Sequence, residues 1–155
     1  MPNDRRIPPI HRCTPGDNAD EGGRSRLAVA DQLPRTQRCA GFYDPVAYFD
    51  GGKPMHGIPT ISASYGGARY LFATSEHRRS FLKNPRKYVP EFGGFCVVGT
   101  AFGEKVDVDL KTGEVVNGKL YLNNSQRALD IFNEDQSGTI AKAKRNWPIV
   151  RDKVL

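Results

Sequence analysis

Hydrophobic and polar positions divide the chain into an unpatterned arm and a patterned body. Residues 1–38 contain Pro2, Pro8, Pro9, Pro15 and Pro34, scattered charges and no apolar period. They read as a disordered basic N-terminal arm with a weak helical pattern at 25–32. The body spans 39–150, and 151–155 form a short tail. Aromatics begin at Phe42 and Tyr43. Asp44-Pro45 then opens a turn or helix start, with Asp as cap and Pro at the first helical position. Alternation at 61–65 and 69–72, joined by Gly66-Gly67, predicts a β-hairpin. Thr74 or Ser75 caps a helix with Phe81 and Leu82 on its buried side, which Asn84-Pro85 ends.

Further along, 105–110 alternates Val106 and Val108 with charged neighbours. Thr112-Gly113 and Asn117-Gly118 are turn dipeptides around 114–116, and 119–122 completes a three-stranded meander. Ser125 begins a helix with Ala128, Leu129, Ile131 and Phe132 inside. A last helix covers 139–146, where Trp147-Pro148 stops it and packs the tail back on the body. This order predicts an α+β fold, a small antiparallel hairpin and meander with flanking helices.

The chain has 155 residues, enough for one domain with a core. Its 38% hydrophobic content is low, which fits a polar arm diluting an ordinary domain. No apolar run approaches the ~18 residues of a membrane span. Leu27-Ala28-Val29-Ala30 is shorter than a signal-peptide core of roughly 7–15 residues. The chain as written therefore reads as cytoplasmic, with export expected only if the true start lies upstream. The net charge is +6, with cations gathered at 75–87 and 142–155. Such patches attract anionic partners, although solvated helix faces look the same. No recognition helix or zinc-finger spacing is written, so nucleic acid is not the expected partner.

Cys13, Cys39 and Cys96 are an odd, small number that makes no disulfide framework, and no CxxC pair exists. Cys96 follows Gly93-Gly94-Phe95 and precedes Val97-Val98. The glycines allow positive φ or a close approach. A thiol held there is either a small core residue or a placed reactive group or ligand. His56 follows Met55 in a loop rich in Gly and Pro, a pair able to meet copper.

Five segments together resemble one family: 41–49 (Gly-Phe-Tyr-Asp-Pro-Val-Ala-Tyr-Phe), 67–73 (Gly-Ala-Arg-Tyr-Leu-Phe-Ala), 81–88 (Phe-Leu-Lys-Asn-Pro-Arg-Lys-Tyr), 92–96 (Phe-Gly-Gly-Phe-Cys) and 117–123 (Asn-Gly-Lys-Leu-Tyr-Leu-Asn). The chain resembles YHS-domain proteins over roughly 40–149, and within them the stand-alone bacterial branch that closes on Asn-Trp-Pro, here Asn146-Trp147-Pro148. The resemblance implies a YHS-like domain. Metal-binding members of the wider group carry thiolates at positions matched here by Ala47, Ala73 and His77. Two thiolates are thus missing and the third is an imidazole, which still binds metal. Relatives with selenocysteine at the position of Cys96 imply reactivity or soft-metal contact there.

The resulting expectation is a binding module rather than a turnover enzyme. It would hold a metal ion, copper or zinc, or a small molecule at Cys96. His77 would be the second contact, with Asp44, Tyr48, Ala47 and Ala73 as pocket supports. Two alternatives remain open. One is a thiol redox protein working through Cys96. The other is a non-catalytic interaction domain whose basic helices bind a partner protein.

Overall fold

A computed structural model describes residues 43–153; the arm at 1–38, with Cys13, and Cys39 at the start of the body lie outside the described residues. The body is α+β. Strand β1 (Ile58–Tyr65) pairs antiparallel with β2 (Ala68–Phe72), and β3 (Asp109–Val116) pairs antiparallel with β4 (Lys119–Asn123). Helices α1 (Ser75–Lys83) and α2 (Pro85–Tyr88) follow the first hairpin. A 3-10 turn at Phe92–Gly94 and helix α3 (Val97–Ala101) separate the hairpins. Helices α4 (Gln126–Glu134) and α5 (Gln136–Val150) close the chain.

Two apolar clusters hold these elements. The smaller one centres on Phe81, with Val46 and Phe72. Thr74 starts α1 by accepting from His77 N at 3.1 Å, and Asn84-Pro85 breaks it and begins α2. Phe81 is fully buried, with the rings of Tyr65, Tyr70, Phe72 and Tyr88 at centroid distances of 5.0–6.4 Å. These are ordinary tilted and edge-to-face aromatic contacts. Leu82, expected inside, is 48% exposed. Neighbours on a helix point about 100° apart, so Phe81 facing the core turns Leu82 to solvent. Ile131 beside the fully buried Phe132 on α4 faces outward for the same reason.

The larger cluster packs Tyr48, Phe92, Cys96–Val98, Leu120–Leu122, Phe132 and Ala143. Here the expected meander is a single hairpin. Residues 105–108 form no strand, and Thr112-Gly113 lies inside β3 rather than at a turn. The Thr112 hydroxyl donates to Asn123 O at 2.7 Å, across to β4. A Cβ on Gly113 would stand 2.4 Å from the Tyr48 ring. That glycine serves close approach of Tyr48, and the register shift between Asp109 and Glu114 accommodates it.

Helix α5 also departs from expectation, because it runs through Pro148 to Val150. Side-on packing outweighs the missing N–H of proline. Ala143 and Val150 are fully buried, and Asn146 Nδ2 donates to Thr100 O and Ala101 O at 3.3 and 2.8 Å, capping the end of α3. Trp147 meets Phe92 edge-on at 5.8 Å and covers Gly93. The Asn-Trp-Pro segment thus clasps α3 and the 3-10 turn, as the expected packing of the tail requires. Lys153 extends the clasp, its Nζ donating to Gly103 O at 2.6 Å.

Truncating the hub of the smaller cluster tests this arrangement. Phe81→Ala should cost about 3–5 kcal/mol of stability in urea unfolding. A cost below ~1 kcal/mol would mean that the ring is not enclosed as described.

Candidate functional site

The sequence expectation joins Cys96 to His77, but the structure puts them in different surroundings. Asp44 and His77 do come together. Asp44 follows Tyr43, which bridges to His56 and stacks on its ring at 4.5 Å. The Asp44 N–H donates to Met55 O at 2.8 Å. Its side chain is fully buried and faces three donors. Val46 N donates to Oδ1 at 2.8 Å, Ala73 N to Oδ2 at 2.8 Å, and His77 Nδ1 to Oδ2 at 2.6 Å. A carboxylate can only accept, so Nδ1 carries the hydrogen. The other ring nitrogen, Nε2, lies 3.3 Å from Asp50 Oδ2. The His77 side chain is 13% exposed and that of Asp50 is 77% exposed.

His77 is thus an imidazole between two carboxylates. Burial favours its neutral form, but the hydrogen bond and charge of Asp44, followed by those of Asp50, outweigh burial and raise its pKa.

Cys96 is a buried free thiol in the larger cluster. It is the N-cap of α3, and its Sγ accepts from Gly99 N at 3.4 Å and from Asn124 N at 3.3 Å. Its N–H donates to Val106 O, and its carbonyl accepts from Thr100 N and Oγ1. Gly93 and Gly94 take positive φ as the sequence suggests, and Phe92 joins them at φ 53°. The side chains of Cys96 and His77 share no partner. The helix α3 that uses Cys96 as a cap was not legible, because Val97-Val98-Gly99 has poor helix propensity.

The support residues divide in the same way. Ala73 gives its N–H to Asp44, whereas Ala47 is buried at 2% exposure and carries no donor side chain. Tyr48 lies in the larger cluster with Cys96 and donates its O–H to Leu110 O. Burial first, then the nearby Tyr43 hydroxyl and the carboxylates of Asp109 and Asp44, raise the Tyr48 pKa. A recess of about 190 Å³ lies elsewhere, between Val98 and Phe102 on one side and Ile131 and Thr139 on the other. A thiolate metal site does not fit these positions, and among the described residues no group of three or more His, Cys, Asp or Glu is arranged to hold a metal. No described helix is long and apolar enough to cross a membrane.

Two outcomes follow. The His77 clasp stabilises the fold most where the imidazole is charged. Because its folded pKa is raised, that contribution is full below the ordinary value of about 6.5 and is lost as pH rises through the higher folded value. The stability gap between wild type and His77→Leu should therefore shrink from about pH 6 to pH 9 in urea unfolding, and a widening gap would contradict the assignment. Iodoacetamide should modify Cys96 slowly in the native chain and rapidly in denaturant, read by peptide mass spectrometry. Equal rates would show an open thiol. Comparison with protein-family models, curated proteins and solved structures finds no match, so the YHS resemblance stands on the sequence segments alone.

Proposed function

We propose that this chain is a non-catalytic, YHS-like metal-binding module in which His77, rather than Cys96, carries the ligand atom. The observation that supports this reading is the buried Asp44 carboxylate behind His77 Nδ1. Imidazoles that bind metals commonly donate their second nitrogen to a carboxylate, which fixes the tautomer and turns the free lone pair outward. Here the outward nitrogen is Nε2, facing the exposed carboxylate of Asp50, and its lone pair becomes available to an ion once its proton is lost. An imidazole and a carboxylate suit zinc(II) or copper(II) better than a thiophilic ion. Two protein donors leave most coordination positions to water or to a further ligand, so modest affinity is expected. Cys96, with its sulfur engaged by two backbone amides, is a core cap in this reading.

Calorimetric titration of the full chain with zinc(II) and copper(II) tests it. One binding event should disappear in His77→Ala and persist in Cys96→Ala. Asp44→Asn should weaken it about 10–100-fold, the usual effect of losing an orienting partner. Affinity should rise with pH as Nε2 loses its proton, with about one proton released per ion near the His77 pKa. Loss in Cys96→Ala with retention in His77→Ala would return the site to the thiol.

A further inference from the structure

Charge is divided unevenly between the halves of the described body. Residues 43–90 hold seven Lys and Arg against three Asp and Glu, a surplus of four. Residues 91–153 hold nine of each, a surplus of zero. The segment formed by α1 and α2 accounts for the whole excess, with Arg78, Arg79, Lys83, Arg86 and Lys87 against Glu76. All five cations are exposed. Glu76 is already paired with Arg79 at 3.0 Å. Among the described residues the other four cations form no ion pair with a carboxylate. Other groups hold two of them in place. Arg78 Nε donates to Ser62 O at 2.7 Å. Lys87 Nζ lies 5.1 Å from the centre of the Tyr88 ring and 5.9 Å from that of Phe49.

We infer that this face docks an acidic polypeptide segment, with Leu82 as its apolar contact. Unpaired, exposed cations on one short segment, in a body whose other half is neutral, complement a run of carboxylates. Guanidinium groups receive carboxylates through paired N–H bonds. Leu82, 48% exposed between Arg79 and Lys83 in sequence, offers a side chain of such a segment a place to bury apolar surface. A single exposed leucine gives little insertion into a lipid surface. The Phe49 and Tyr88 rings are covered by Lys87 and so give no open platform for stacking bases. Nine residues of helix span about 14 Å, a length that four or five extended residues of a partner would cover.

The probe is a fluorescein-labelled peptide of alternating Glu and Asp with two leucines, followed by anisotropy on the full chain. Binding should weaken at least about tenfold when Lys83→Glu, Arg86→Glu and Lys87→Glu are combined, and severalfold when salt is raised from about 0.03 to 0.15 M. Leu82→Ser should weaken it about threefold, as expected for part of one apolar contact. The combination Lys142→Glu, Lys144→Glu and Arg145→Glu makes the same change in net charge on α5 and should leave binding within about twofold. Circular dichroism checks that both triple variants fold. Equal weakening by the α5 triple variant would overturn the inference. So would tighter binding of phosphatidylserine vesicles or of an oligonucleotide than of the peptide.

Discussion

The fully buried carboxylate of Asp44 is the constraint from which the first half of the body follows. A lone charge out of water costs several kcal/mol, so its donors must all be in place together. Those donors come from three segments: Val46 in the turn, Ala73 just after β2, and His77 in the first turns of α1. Position in any one segment therefore depends on the other two. The same turn sends Val46 into the smaller cluster and Tyr48 into the larger one. One hydrogen-bonded carboxylate thus sets how the two cores are shared out along five residues of chain.

The Gly-Gly-aromatic segment plays the equivalent part in the second half. Three successive positive φ angles, at Phe92, Gly93 and Gly94, reverse the chain beneath Trp147. Phe92 has a side chain in a region that favours glycine, and its contacts with Tyr121 and Trp147 offset the strain. The chain then enters α3 with Cys96 as cap. A thiol suits this place because it accepts two backbone N–H groups while remaining compatible with the apolar cluster around it. A reagent or metal reaching Sγ would first have to displace Gly99 or Asn124. The reactivity that the family resemblance implies at this position therefore conflicts with the closed form of the core.

Elements with local signals were legible in the sequence. Thr74, Ser125, Asn84-Pro85 and Asn117-Gly118 all act locally as caps, breaks or turns, and those boundaries agree with the structure. The misreadings came from residues whose role is set by distant partners. Gly113 looked like a turn residue, but the approach of Tyr48, 65 positions earlier, requires its missing side chain. Pro148 looked like a stop, but Asn146 and Trp147 have partners on α3 and the 3-10 turn that keep the helix going. At the candidate site, His77 and Asp44 were each visible as residues of interest, yet nothing local indicated that they meet. The pairing of Cys96 with His77 rested on family register, and register does not record which of two cores a side chain enters.

The surface charge of α1 follows from the same buried carboxylate. Residues 43–90 contain only three acidic groups, and two of them, Asp44 and Asp50, lie against His77. A charged imidazole balances part of their charge internally, so neither is directed at the cations of the helix. Glu76 alone remains, and Arg79 takes it. Moving Asp44 to the surface would offer α1 a counter-charge, but the turn, the end of β2 and the start of α1 would lose their common acceptor. The arrangement that fixes the fold thus also leaves one helix cationic, while the second half, with nine carboxylates against nine cations, is neutral. The site and the basic face are two consequences of where this chain places its few carboxylates.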